Sequence, residues 1–135
     1  EEADKIGVTL ALEPLGHKET NFMVTTEQTL HLVQAIDHPA CRLHLDVKAM
    51  CSETLTVPKT IETYVPHLAY FHANDANLRG PGFGDVDFVP ILSALRRTGY
   101  EGWVSVEVFD YLPDPKTIAR KSIDYLRHSL AQGKE

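Results

Sequence analysis

The chain has 135 residues, of which 43% are hydrophobic and 24% charged, a composition typical of a single globular domain. Thirteen Lys and Arg residues against nineteen Asp and Glu residues give a net charge of −6, which argues against a nucleic-acid partner held through its phosphate backbone. No apolar run approaches the roughly 20 residues that a membrane-spanning helix needs, so we expect no membrane partner and a cytoplasmic location.

Strand-like and helix-like segments alternate through the first half of the sequence. Residues 6–13 form an almost wholly apolar run that stops at a proline, which predicts a strand covered on both faces. Residues 25–39 begin with a threonine suited to cap a helix and end with a proline that stops one. The pattern then repeats, with a strand predicted at residues 41–47 and a short helix at residues 58–66.

The second half continues the same alternation. A strand is predicted at residues 68–73, and a glycine-rich loop that lacks a phosphate-binding spacing leads into a helix at residues 87–97. The last unit is a strand at residues 103–108, in which Trp103 is expected to be a core residue, and a helix at residues 114–131. Four consecutive βα units imply parallel strands with right-handed crossovers, so the predicted class is α/β.

The length limits which α/β fold the chain can form. A complete (βα)₈ barrel takes about 250 residues, so residues 1–135 hold about half of one. The alternatives are a half-barrel that needs a partner, a fragment, or a small open sheet. A half-barrel has two open strand edges, and we expect it also to expose an apolar inner surface. We therefore expect a homo-oligomer or dependence on a missing N-terminal half, and no closed, active monomer.

One acidic or imidazole side chain ends each predicted strand, on the face opposite the aliphatic residues. The alternation of side chains along a strand places Leu68 and Tyr70 on the same face as His72. The carboxyl ends of parallel strands are where α/β proteins bind ligands. The four side chains at these ends are Glu13, Asp46, His72 and Glu107.

A divalent metal explains this set better than four independent polar residues do. Three carboxylates and one imidazole brought together would repel and lose solvation unless a cation compensated them. Oxygen-rich ligation favours Mn²⁺ or Mg²⁺, with Co²⁺ or Zn²⁺ as alternatives. Cys41 and Cys51 are expected to be free thiols, and His44 to be a core histidine with satisfied hydrogen bonds or a partner beneath Asp46.

Five segments of the chain resemble the C-terminal half of the sugar phosphate isomerase/epimerase superfamily, which consists of xylose isomerase-like TIM barrels. The segments are Leu12-Glu13-Pro14-Leu15, Leu45-Asp46, Phe71-His72-Ala73-Asn74-Asp75, residues 80–88 and residues 99–107. The resemblance implies that residues 1–135 form strands five to eight and their helices. It also implies that Glu13, Asp46, His72 and Glu107 are metal ligands, and that Glu13 and Glu107 are catalytic.

The resemblance extends to candidate substrate-binding residues. Glu19 matches an active-site acid of ketose epimerases, and Lys48 and Arg79 are loop cations placed to hold a phosphate or a sugar hydroxyl group. The sequence departs from the family at two positions. Ala49 stands where many members have a substrate-binding histidine, and Leu78 stands where the substrate-binding arginine is expected, next to Arg79.

The expected function is a metal-dependent isomerase or epimerase acting on a sugar, a keto-sugar or a sugar phosphate. Such an enzyme removes a proton next to a carbonyl group, and a Lewis acid stabilises the resulting enediolate. Glu13 and Glu107, on the first and last strands, are the candidates for exchanging protons on opposite faces of the substrate. The alternatives are an endonuclease IV-like enzyme or a dehydratase on the same fold, or a half-barrel without catalytic activity.

Overall fold

The computed structural model describes residues 1–133, in which helices and strands alternate. The three helices that precede or follow the first two strands are α1 (Glu2–Lys5), α2 (Thr26–Ile36) and α3 (Val47–Met50), and the strands are β1 (Leu10–Leu12) and β2 (Cys41–Asp46). The remaining elements are α4 (Val57–Tyr64), a 3₁₀ turn (Val65–His67), β3 (Leu68–Ala73), α5 (Phe88–Arg97), β4 (Val104–Val106) and α6 (Pro115–Gln132). No helix within residues 1–133 has the length and apolarity to cross a membrane.

The four strands form one parallel sheet in the order β1-β2-β3-β4. Each strand therefore neighbours the next one in sequence, as the repeated βα units predict. In the register, Leu12 lies beside Leu43, and Asp46 lies beside His72, which in turn lies beside Ser105. The α/β class predicted from the sequence is confirmed, and the four strands end at the same edge of the sheet.

The helices cover one face of the sheet and form the core there. Leu43, Leu45 and Phe71 are completely buried on this face, where they pack with Ile61 of α4 and Phe88 of α5. Burying a large apolar side chain contributes about 1.5–3 kcal/mol, so these contacts hold β2 and β3 firmly in place. The site residues at the ends of these two strands thus stand on the two most buried strands of the sheet.

A register shift in β3 corrects one sequence prediction. Leu43 pairs with Leu68, but the next residue, His44, pairs with Tyr70 rather than with Ala69. Leu68 therefore lies on the same face as Leu43 and is part of the core, whereas the simple alternation put it on the face of His72. Because of this shift, Asp46 pairs with His72.

Side-chain caps define where the longer helices begin. Thr25 caps α2 as predicted, accepting a hydrogen bond from the Gln28 N–H at 3.2 Å. Asp87 and Asp114 cap α5 and α6 in the same way, each at 2.9 Å from a backbone nitrogen. These two aspartates were predicted as the first helical residues and instead precede their helices by one position.

The glycine-rich loop before α5 packs closely against α6. A Cβ atom on Gly80 would lie 2.2 Å from Ser122 Oγ, and one on Gly82 would lie 2.8 Å from the Tyr125 ring. Gly82 also has a φ of +82°, a conformation that side chains disfavour. Glycine at these positions lets the loop lie directly against α6.

Two expectations about exposed surface are wrong. Trp103 is 79% exposed rather than in the core, because it precedes β4, which within residues 1–133 has a neighbouring strand, β3, on one side only. The inner face of the sheet is polar rather than apolar, since Arg42, His44 and Tyr70 lie on it. The exposed apolar side chains instead include Leu10 and Trp103, at the two edges.

Candidate metal centre

The sheet brings the four predicted ligand residues together at its carboxyl edge. Asp46 is the last residue of β2 and His72 lies in β3, while Glu13 and Glu107 directly follow β1 and β4. One nitrogen or oxygen atom from each of the four side chains lies within 4.8 Å of the others. We call these four residues the acidic cluster.

The distances within the acidic cluster suit a shared ion rather than direct hydrogen bonds. His72 Nδ1 lies 3.5 Å from Glu107 Oε2, 3.7 Å from Asp46 Oδ2 and 3.9 Å from Glu13 Oε1. These separations are long for hydrogen bonds, and Nδ1 is a buried atom without a hydrogen-bond partner among the described residues. Bonds of about 2.0–2.6 Å to one ion allow ligand atoms up to about 5 Å apart, so the set fits a single divalent cation.

The electrostatics of the acidic cluster also favour a cation. Burial, and then the charges of Asp46 and Glu107, raise the pKa of Glu13 to about 7. Burial alone would lower the pKa of His72, but the surrounding carboxylates outweigh it and raise that pKa. The metal-free cluster therefore favours binding protons near neutral pH, which is the behaviour of a site with excess negative charge.

Asp46 is the most constrained member of the acidic cluster. It is fully buried, and its Oδ1 accepts a hydrogen bond from the Ala49 N–H at 2.9 Å while its Oδ2 accepts one from Asn74 Nδ2 at 2.6 Å. Burial raises the pKa of Asp46, but the contacts with His72, Ala49 and Asn74 outweigh it and hold the pKa below its usual value. Asp46 is therefore an ionised carboxylate held in one orientation.

The role of Asn74 was not predicted from the sequence, although Asn74 lies in the segment Phe71-His72-Ala73-Asn74-Asp75 that resembles the family. A polar residue directly after a buried strand was a usable signal, since such a side chain lies near the ends of the neighbouring strands. The sequence does not show that Asp46 is the partner of Asn74, because Asp46 ends β2 whereas Asn74 directly follows β3. The centre of the Phe109 ring lies 4.4 Å from Lys48 Nζ. This contact was not predicted either, because Phe109 and Lys48 are far apart in the sequence.

His44 extends the candidate ligand set without creating a second centre. Its Nε2 lies 3.9 Å from Glu13 Oε1, and its ring packs edge-on against His72 at 4.2 Å. Burial and the neighbouring His72 lower the pKa of His44 to about 4, so it is neutral, and its Nε2 has no hydrogen-bond partner within residues 1–133. The expectation of a satisfied core histidine is therefore wrong. The two candidate ligand groups share Glu13 and His72, so within residues 1–133 they form one centre.

Glu19 and Lys48, two predicted substrate-binding residues, lie together in a cleft. Lys48 Nζ is 2.8 Å from Glu19 Oε1 and 3.0 Å from Glu19 Oε2. The cleft has a volume of about 590 Å³, and Ala49 and Leu78 also line it. Ala49 and Leu78, which replace the histidine and the arginine expected from the resemblance, thus give this cleft two apolar side chains.

Arg79, the third predicted substrate-binding residue, is engaged elsewhere. Its guanidinium donates a hydrogen bond to the Leu112 carbonyl oxygen, lies 3.6 Å from Asp110 Oδ2 and stacks 4.9 Å from the centre of the Phe83 ring. These contacts join the loop after β3 to the loop after β4. Contact between Arg79 and a substrate stays a prediction.

Parallel βα units with acidic residues at the strand ends are typical of TIM-barrel enzymes, and comparison with known proteins gives the same class. The family model described as xylose isomerase-like TIM barrel matches residues 1–129. The chain belongs to this family. The structure of the chain also matches the solved structure of an L-ribulose 3-epimerase with a TM-score of 0.89 and 25% identity, over 98% of this chain and 50% of that one.

Two relatives are similar to the chain in amino-acid sequence. The L-ribulose 3-epimerase of Methylomonas sp. (strain DH-1) is 32% identical over 115 residues, which are 84% of this chain and 40% of the relative. The ketose 3-epimerase of Arthrobacter globiformis is 32% identical over 107 residues, which are 79% of this chain and 37% of the relative. The chain thus spans half or less of the length of these three proteins.

Proposed function

We propose that the natural protein containing residues 1–135 is a metal-dependent epimerase of ketoses. The observation that carries the proposal is the acidic cluster, in which Glu13 and Glu107 come from the two outer strands and meet His72 and Asp46 between them. The relatives named above, an L-ribulose 3-epimerase and a ketose 3-epimerase, support the same reaction class. We infer that the reaction inverts a carbon next to the ketose carbonyl group.

The acidic cluster would hold the cation through Glu13, Asp46, His72 and Glu107. Three oxygen donors with one nitrogen donor favour Mn²⁺ or Mg²⁺, with Co²⁺ or Zn²⁺ as alternatives. A bound divalent cation supplies a Lewis acid that stabilises negative charge on the substrate oxygens. The Nδ1 atom of His72 supports this assignment, because it is buried without a hydrogen-bond partner among residues 1–133 and an ion would be a partner for it.

Glu13 and Glu107 would transfer the protons. One ionised carboxylate takes the proton from the substrate carbon, and the electron pair of that C–H bond moves toward the carbonyl oxygen. The other glutamate, in its acid form, then returns a proton to the opposite face of the same carbon, which inverts its configuration. In the reverse direction the two residues exchange roles. Their origin on β1 and β4 supports this assignment, because the outer strands flank a molecule bound between them.

The cleft beside the cluster favours an unphosphorylated ketose. Glu19 and Lys48 offer a hydrogen-bond acceptor and a donor, the pair of groups that a sugar hydroxyl needs. A phosphate dianion would meet the Glu19 carboxylate, which opposes its binding by like-charge repulsion. We therefore propose a neutral ketose as the substrate in preference to a sugar phosphate.

We propose that the four βα units correspond to strands five to eight of a complete barrel. The remaining units would come from further residues of the same protein or from a second copy of it. Leu10 and Trp103, exposed at the two edges of the sheet, support this completion, because a neighbouring strand on each side would cover them. A cytoplasmic location stays a prediction.

The reaction class can be tested by following hydrogen exchange. The natural protein loaded with Mn²⁺ is incubated with D-fructose or L-ribulose in D₂O, and the sugars are analysed by NMR. We expect deuterium at C3 and appearance of the C3 epimer. Deuterium at C1 of the recovered ketose and at C2 of an aldose product would instead indicate isomerisation, and exchange at none of these carbons for either sugar would contradict the proposal. Protein treated with a chelator is the control.

A further inference from the structure

We propose that Asn74 is a positioning residue of the metal centre, holding the Asp46 carboxylate in the orientation that an ion requires. This inference rests on the proposed metal dependence. Asn74 directly follows β3, its side chain is completely buried, and it contacts neither of the catalytic glutamates through a hydrogen bond among the described residues. Its side chain instead links three segments at the carboxyl edge of the sheet.

Both ends of the Asn74 amide make short hydrogen bonds. Its Nδ2 donates to Asp46 Oδ2 at 2.6 Å, and its Oδ1 accepts from the Lys48 backbone N–H at 2.8 Å. The second bond distinguishes the oxygen of the Asn74 amide from its nitrogen, because a backbone N–H only donates and must face the oxygen. The nitrogen is therefore the atom that faces Asp46, and the amide serves as a donor to that carboxylate.

This arrangement fixes both oxygens of Asp46. Oδ1 is held by the Ala49 N–H at 2.9 Å, and Oδ2 is held by Asn74. A carboxylate bonded at both oxygens cannot rotate without breaking one of the bonds. Oδ2 also lies 3.7 Å from His72 Nδ1, so the oxygen that Asn74 holds is the one that faces the rest of the acidic cluster. Asn74 thus orients a ligand atom without itself contacting the ion.

Asn77 provides a matched control in the same loop. Its side chain also uses both ends, donating to the Phe83 carbonyl oxygen at 2.9 Å and accepting from the Arg79 N–H at 3.0 Å. It therefore supports the loop after β3, but it is exposed and, among the described residues, makes no hydrogen bond to a member of the acidic cluster. A difference between the two residues separates orientation of a ligand from support of the loop.

The experiment measures Mn²⁺ binding to the natural protein and to its Asn74→Ala and Asn77→Ala variants. Dissociation constants come from titration calorimetry, and the electron paramagnetic resonance spectrum of bound Mn²⁺ reports the symmetry of its surroundings. Loss of a residue that orients a metal ligand weakens binding about 10–100-fold, which we expect for Asn74→Ala together with a changed spectrum. We expect Asn77→Ala to bind Mn²⁺ within about twofold of the unchanged protein, with the same spectrum.

Several outcomes would overturn the inference. One is an Asn74→Ala variant that is folded by circular dichroism and binds Mn²⁺ as tightly as the unchanged protein; another is an equal loss in both variants. If Asn74→Ala does not fold, Asn74→Leu, which fills the same space without a donor, is measured instead, and failure of both to fold would indicate a purely structural role. Absence of Mn²⁺ binding by the unchanged protein would instead contradict the proposed function, so the two failures are distinguishable.

Discussion

Lys48 and Glu19 form an ion pair that joins the loop after β1 to the short helix α3. Lys48 Nζ lies 2.8 Å from Glu19 Oε1, and the Lys48 side chain is only 11% exposed while that of Glu19 is 41% exposed. The ammonium group therefore depends on this carboxylate and on the face of the Phe109 ring for its stabilisation.

We expect Glu19→Gln to affect stability modestly and substrate binding more strongly. Because Glu19 is partly exposed, the lost ion pair should cost about 1 kcal/mol of unfolding free energy, measured by urea denaturation. The KM should rise more than kcat falls, since neither Glu19 nor Lys48 belongs to the acidic cluster. The control is Glu2→Gln at the exposed pair with Lys5, which should leave both measurements unchanged. A fall in kcat with constant KM would contradict the assignment of Glu19 to substrate binding.

We expect Glu107→Gln and Glu13→Gln each to lower turnover far more than they weaken substrate binding. A neutral amide cannot take up or return the substrate proton, and loss of general acid–base catalysis typically costs about 10²–10⁴-fold. Solvent deuterium incorporation at the reacting carbon is the direct measurement, made at saturating Mn²⁺ so that weaker metal binding does not confound it. Unchanged incorporation in both variants would exclude the mechanism with two carboxylates.

We expect binding of the divalent cation to weaken as the pH falls through about 7. The pKa of Glu13 is raised to about 7 in the metal-free cluster, and a carboxyl group must lose its proton before it ligates a metal ion. Affinity should therefore fall by at least about tenfold per pH unit below that pKa, because His72, whose pKa is also raised, must lose its proton to bind the ion as well. Calorimetry in buffers of different ionisation enthalpy should detect the released proton at pH 6 but not at pH 8.5. Affinity that is constant from pH 6 to 8.5 would contradict this prediction.

We expect Arg79→Ala to raise the KM for a ketose about tenfold, the effect of losing one hydrogen bond from a charged group. Arg79 either contacts a substrate oxygen directly or fixes the loop that contains Asp110 and Leu112, which Arg79 joins to its own loop. Comparing phosphorylated and unphosphorylated ketoses separates these roles, because direct contact with a phosphate makes the loss larger for the phosphorylated sugar. A negligible effect on both would leave Arg79 outside the substrate site.

The sequence predicted the acidic cluster because strand alternation and parallel topology are both regular. Glu13, Asp46, His72 and Glu107 each stand at a strand end, and parallel strands bring such ends to one edge whatever the details of packing. The predicted faces of the strand residues were wrong where the regular alternation of side chains is interrupted. Leu68 was assigned to the wrong face because the register shift in β3 cannot be read from one strand alone.

Trp103 and Asn74 show two other limits of reading the sequence. Trp103 is apolar and strand-like, but its burial depends on whether another strand lies beside β4, which alternation does not reveal. Asn74 has a function defined by Asp46 and Lys48, residues on a separate βα unit. Local patterns predict which elements form, whereas such pairings depend on the assembled sheet.

The four members of the acidic cluster all lie in one contiguous stretch, from Glu13 to Glu107. In a complete barrel, the remaining βα units would contribute walls of the substrate pocket but none of these four side chains. Substitutions in those units can then change which sugar is accepted while the proton-transferring residues stay intact. Such a division would let new substrate preferences evolve without rebuilding the chemistry.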